Sequence, residues 1–183
     1  MAMMQTPTNS EAAEKRLLFM IRAVAAFYIL ALLFWGLTAF PLESEIRLIC
    51  SSLGIEDVLA PENYSGLKYW LASVQAGLAQ TNLDYPFLAY GTDWLAYSHI
   101  VLAVVFCGVY AKPVTNIWIV HACMIACAGV VLVALLCAPI RGVPFFWALV
   151  DCAFGVLGIV PLVFLHVWIR RLAKTAGIAE AKY

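Results

Sequence analysis

Charge is scarce in this chain. Only 12% of its 183 residues are Asp, Glu, Lys or Arg, 64% are hydrophobic, and mean hydropathy is +0.92. Ordinary globular chains carry about 25% charged and about 45–50% apolar residues. A surplus of this size excludes a soluble domain, a disordered chain and a secreted disulfide scaffold. Neither sign of charge is in excess, at 11 basic and 11 acidic residues, so a basic nucleic-acid binder is excluded too. Also missing are a P-loop, a nucleophile motif, a His/Cys metal cluster, an internal repeat and any C-x-x-C pair. The last absence argues against the membrane thiol oxidoreductases, whose chemistry needs that dithiol. Long alternating patterns are absent as well, which argues against a β-barrel.

What is present is four apolar runs: residues 17–40, 94–111, 114–136 and 145–169. A helix needs roughly 20 apolar residues to cross the hydrocarbon of a bilayer. All four runs qualify, the second being the shortest. The expected fold is therefore all-α: a four-transmembrane-helix bundle with a short helical extracytoplasmic cap. The first run follows Lys15 and Arg16, as a signal peptide would, but it is longer than a signal h-region. The following Thr38-Ala39-Phe40-Pro41 is a poor cleavage site, so the run reads as a retained signal anchor.

Orientation follows from positive charge, since short loops rich in Lys and Arg stay in the cytoplasm. With the N-terminus inside, the inner side holds Lys15, Arg16, Arg22, Lys112, Arg170, Arg171, Lys174 and Lys182. The outer side holds only Arg47, Lys68 and Arg141. The tails, residues 1–16 and 170–183, are thus expected in the cytoplasm of a cell with this protein in its inner membrane. The extreme ends, Met1–Ser10 and Thr175–Tyr183, are small and polar and expected to fray.

The outer segment, 41–93, is acidic: Glu43, Glu45, Glu56, Asp57, Glu62, Asp84 and Asp93 stand against Arg47 and Lys68. Residues 42–53 suit a short amphipathic helix. Residues 66–78 suit another, with Leu67, Trp70, Leu71, Val74 and Leu78 at helical spacing. Pro61, Asn82 and Pro86 punctuate the segment. Such helices either cap the bundle or float at the interface through Tyr69 and Trp70. Asn63-Tyr64-Ser65 matches a glycosylation sequon, a triplet common by chance.

Ionisable groups within spans are costly and tend to mark function. Asp151 lies six residues into the fourth run and His99 five into the second, both about 7–9 Å below the outer boundary. Arg141 stands in the outer turn between the third and fourth runs, and a long arginine stem can reach down to a carboxylate. Asp151, Arg141 and His99 are therefore expected to meet, rimmed by Trp94, Tyr97 and Trp147, with Asp93 above. Asp151 shares a face with Gly155 and Gly158, and His99 with Ala96 and Ala103, so both sit on packing stripes. The bland alternative is an Arg–Asp pair that locks the outer hairpin. A histidine beside a carboxylate could also transfer protons.

On the inner side, His121 and His166 lie at similar depth on the third and fourth runs. They read either as a bis-histidine haem pair or as packing residues bonded to neighbouring helices. The cysteines are Cys50, Cys107, Cys123, Cys127, Cys137 and Cys152. In spans they serve as small apolar fillers. Cys50, in the outer segment, is a candidate to pair with Cys137 or Cys152.

Three stretches carry a resemblance: residues 90–99 (YGTDWLAYSH), 113–118 (PVTNIW) and 139–155 (PIRGVPFFWALVDCAFG). Over the C-terminal half they resemble a group of small uncharacterised four-span bacterial integral membrane proteins. That resemblance implies a four-span protein and brings no activity with it.

The sequence thus favours a non-enzymatic protein whose partner is the lipid bilayer, with a homo-oligomer or larger membrane complex open to it. It would bind a small molecule or lipid headgroup at the Asp93, Trp94, Tyr97, His99, Arg141, Trp147, Asp151 site, or serve as a subunit. The alternative is a membrane enzyme or haem protein, with His99 as base, Asp151 orienting it and Arg141 clamping an anion. An inverted-repeat carrier needs more spanning residues than these unless it oligomerises.

Overall fold

In the computed structural model, which describes residues 9–177, every long element is an α-helix. They are α1 (Asn9–Thr38), α2 (Leu42–Ser52), α3 (Gly66–Asp84), α4 (Ala89–Ala111), α5 (Ile117–Ile140) and α6 (Phe145–Thr175). Short 3₁₀ turns at Pro61–Asn63 and Pro86–Leu88 join them. Four stretches are long and apolar enough to cross a membrane: Glu11–Thr38, Pro86–Ala111, Ile117–Ile140 and Phe145–Thr175. The expectation of frayed ends at Met1–Ser10 and Thr175–Tyr183 falls largely outside the described residues.

Helix bounds depart from the apolar runs where local chemistry takes over. α4 starts at Ala89, ahead of Trp94, because the 3₁₀ turn at Pro86 has already set the chain in a helical path. α5 starts at Ile117, where the Pro113–Asn116 turn ends and the Asn116 amide bonds back to the Gly108 and Lys112 carbonyls. α6 runs on to Thr175 because Arg170, Arg171 and Lys174 are good helix formers whose charge complements a helix C-terminus.

Two helices end in the same way. After α2, Ile55 N–H donates to the Cys50 carbonyl and Gly54 N–H to that of Ser51. After α5, Val143 N–H donates to the Ala138 carbonyl and Gly142 N–H to that of Pro139. Both are Schellman closures, and each needs a residue at positive φ. Gly54 and Gly142 supply it, both at φ 69°. Pro144 then prevents α5 from continuing and starts α6.

The chain forms two compact units, 1–30 with 104–183, and 31–103. In the first, α5 and α6 make an antiparallel hairpin. Gly155 is what lets them close: a Cβ there would stand 2.5 Å from the Cys127 carbonyl oxygen and 3.0 Å from Val131. A Cβ on Gly158 would stand 3.1 Å from Cys127 Sγ. The first part of α1 and the last turns of α4 pack on this hairpin around Ile21, Ala25, Phe106, Val109, Leu162 and Leu165, all fully buried. Tyr28 stacks on Phe106 with ring centroids 5.2 Å apart. Its hydroxyl donates to the Gly158 carbonyl. Pro161 lies three residues on within α6 and lacks the N–H that the Leu157 carbonyl would otherwise accept. Tyr28 thus supplies a donor where a proline has disturbed the backbone ladder, as an apolar surrounding demands.

In the second unit, α2 packs on α3 and the end of α1 on α4. Cys50, Ile55, Leu71 and Ala72 form the α2–α3 core. Of the α3 stripe expected from spacing, Leu71 is buried, Trp70, Val74 and Leu78 are half-buried, and Leu67 is exposed. Gly36 brings α1 against α4: a Cβ there would be 3.0 Å from the Ala96 carbonyl oxygen and 3.1 Å from His99 Cβ. Outside these cores, large apolar side chains stay uncovered, among them Phe145 and Leu157 at 70% exposure each. Lipid is the solvent that suits such a surface.

Candidate functional site

The residues expected to form the outer site fall in different places. Asp93, Trp94, Tyr97 and His99 belong to the first three turns of α4. Trp94 and Tyr97 are exposed and continue an edge-on ladder of rings, Tyr90–Trp94–Tyr97, with centroids 5.9 and 6.0 Å apart. This is the aromatic surface that helices present at a membrane interface. Asp93 is half-buried. His99 is half-buried, with its Cβ against the Gly36 approach and its Nδ1–H donating to the Leu95 carbonyl at 2.8 Å. Its ring is thus turned back along its own helix.

Arg141, Trp147 and Asp151 belong to the α5–α6 hairpin. The expected Asp151–Arg141 ion pair does not form: among the described residues neither side chain has an ionic partner. The reason lies in the turn. Arg141 is the C-cap of α5, with its backbone N–H closing on Cys137 and Ala138 and its side chain exposed beside the helix C-terminus. A cation there complements the helix dipole without reaching inward. Asp151, half-buried, lies six residues into α6, about 9 Å below the turn. Trp147 is half-buried one turn before it.

Further along the hairpin, the two histidines expected at similar depth do meet. His121 Nε2 and His166 Nδ1 are 2.9 Å apart, with ring centroids 5.0 Å apart. One nitrogen donates and the other accepts. A haem iron between two histidines would hold each nitrogen about 2 Å away, on opposite faces of a porphyrin. Rings bonded directly to each other leave no space for that plane, so the pair as placed does not fit haem. It fits two imidazoles sharing a proton. Among the described residues no group of three or more His, Cys, Asp or Glu could hold a metal ion.

Among the described residues none of the six cysteines is in a disulfide. Cys50 is buried, and its thiol lies 3.6 Å from the Leu71 carbonyl oxygen, an α2–α3 contact. Burial pushes this thiol up from its ordinary range. A core contact, rather than a disulfide, accounts for it.

A site the sequence did not point to lies in the second unit. A cleft of about 170 Å³ opens where the end of α1, the start of α2, the end of α3 and the start of α4 converge. Phe40, Leu78 and Leu88 supply its apolar wall, and Glu43, Asn82 and Thr92 its polar groups. Glu43 sits in the first turn of α2, where a negative charge complements the helix N-terminus. The Asn82 amide donates to its carboxylate at 2.5 Å, which fixes one oxygen and leaves acceptor capacity on the carboxylate. One turn back from Leu78 on α3, Gln75 is only 4% exposed, and its amide oxygen has no partner among the described residues. The signal was present but quiet: Glu43 and Asn82 are 39 positions apart, and nothing in the helical period joins them.

No protein-family model, curated protein or solved structure matches this chain.

Proposed function

We propose that this is a non-enzymatic, multi-pass protein of the inner membrane. Both termini are cytoplasmic, and the 41–93 segment is presented outside. We place its function in the cleft beside Glu43, which would hold a small amphipathic molecule or lipid headgroup bearing a positive charge or a strong hydrogen-bond donor. Four apolar helices and the uncovered apolar surface support the membrane. Eight basic residues on one side of the spans against three on the other support the orientation.

The observation that carries the binding reading is the half-buried Glu43 carboxylate, oriented by Asn82 inside a cleft with one apolar wall. Apolar lining with a few placed polar groups is the usual build of a small-molecule site. The outer position expected for the site is kept, but its charged centre moves from Asp151 and Arg141 to Glu43.

The test is thermal unfolding of the protein in nanodiscs with millimolar organic amines, neutral polyols and organic acids. Amines are expected to raise the midpoint for the wild type and not for Glu43→Gln. Thr92→Val, which keeps the carboxylate, should weaken the effect without abolishing it. Stabilisation by acids, or amine effects unchanged in Glu43→Gln, would overturn the reading.

A further inference from the structure

We infer that the N-terminal half of α1 carries a binding site for one anionic phospholipid, separate from the Glu43 cleft. In the first compact unit a groove of about 480 Å³ runs along α1 and ends against Tyr110 of α4. Its floor is apolar, with Leu18, Phe19 and Ala26, and its charged groups are Lys15 and Arg22; no carboxylate lines it. Residues 15, 18, 19, 22 and 26 recur at the helical period, so the two cations and the apolar floor share one face of α1. From Lys15 to Ala26 the groove spans about 16 Å, roughly half the hydrocarbon thickness.

Arg22 meets Tyr110 at the end of the groove. Its Nε–H donates to the Tyr110 carbonyl at 3.3 Å, and its guanidinium lies 5.6 Å from the Tyr110 ring centroid. Tyr110 is the penultimate residue of α4, so its carbonyl is one of those a helix end leaves unbonded. That contact holds the Arg22 head in place. It uses one N–H of five, and among the described residues the terminal amines have no other partner. Lys15, seven residues earlier on the same face, has no ionic partner among the described residues either.

A cation left unpaired at membrane depth is costly, and an arginine fork suits phosphate oxygens. A phosphodiester between Lys15 and Arg22 would answer both charges. Its acyl chain would lie along Phe19 and Ala26, where water is the poorer occupant. The apolar floor distinguishes a phospholipid from free phosphate, which would bind the cations and leave the floor exposed.

The test measures lipid binding to the delipidated full chain in detergent by native mass spectrometry. The probes are phosphatidylglycerol, phosphatidylcholine and soluble glycerol phosphate. Phosphatidylglycerol is expected to bind tightest, and each cation removed should weaken it roughly fivefold. Lys15→Ser leaves the Tyr110 contact intact and should show this loss even if Arg22→Gln fails to fold. Phe19→Ser should weaken the lipid while leaving both charges. Arg171→Ser with Lys174→Ser, which removes inner-side charge outside the groove, should leave binding unchanged. Equal binding of phosphatidylcholine, equal binding of glycerol phosphate, or equal loss in the Arg171/Lys174 variant would each overturn the inference.

Discussion

His121 of α5 and His166 of α6 stand 2.9 Å apart, nitrogen to nitrogen, across the antiparallel hairpin. They come from opposite ends of their helices, so the contact reports the register of the whole hairpin. One imidazole must donate and the other accept, which makes the pair a single proton-sharing unit. Removing one ring takes away the nitrogen that its partner is bonded to. His121→Leu alone and His166→Leu alone should each cost about 1–2 kcal/mol, and the double variant less than their sum. A double-mutant cycle of unfolding in detergent checks this; strict additivity would show that the rings do not interact. The purified protein should show no Soret band, since the directly bonded rings leave no room for a porphyrin.

The α5–α6 seam is set by Gly155. Any side chain there meets the Cys127 carbonyl, a backbone atom that cannot swing aside. Gly155→Leu should cost about 1–3 kcal/mol or more by overpacking. At the half-buried Gly129, where a Cβ meets nothing within 4 Å, Gly129→Ala should be neutral or mildly stabilising. Unfolding midpoints of the two variants check the contrast.

The sequence is most informative where one helix decides its own fate. Apolar runs mark all four long helices, and Gly142-Val143-Pro144 marks the hairpin turn. The small stripe of Gly155 and Gly158 marks a packing face. The depths of His121 and His166, counted from the run ends, differ by only a few Å. What fails is inference about where a long side chain goes. Arg141 reads as a reach inward because only its position along the chain is legible. The Schellman closure, which turns the side chain outward, follows from backbone geometry at Gly142. Glu43 and Asn82 are likewise invisible as a pair, because two helices bring them together and no period links them.

Tyr28 should matter beyond its ring. Tyr28→Phe keeps the stack on Phe106 but removes the donor to Gly158, beside the break that Pro161 makes in α6. The expected loss is about 1–2 kcal/mol. Pro161→Ala in the same background should recover part of it, because the helix then bonds its own carbonyls. Equal costs of Tyr28→Phe with and without Pro161 would contradict the link between the two.

Cys50 gives the α2–α3 pair a pH dependence. An unfolded thiol ionises near about 8.5, and burial holds the folded thiol above its ordinary range. The contribution is therefore full below the unfolded value and is lost as pH rises through the folded one. Between pH 7 and pH 10 the wild type should lose stability that Cys50→Ala does not lose. Hydrogen exchange of α2 and α3 amides, corrected for intrinsic rates, measures it. Identical pH profiles in the two proteins would show that the thiol is not buried in solution.

The proposed membrane topology puts residues 41–93 outside and both ends within the cell. The direct measurement is labelling of intact cells by a membrane-impermeant maleimide, in a background with the native cysteines replaced. A single cysteine is introduced at exposed Asn63 or at exposed Lys174. Labelling is expected at Asn63→Cys without lysis and at Lys174→Cys only after lysis. Labelling of Lys174→Cys in intact cells, with Asn63→Cys protected, would contradict it.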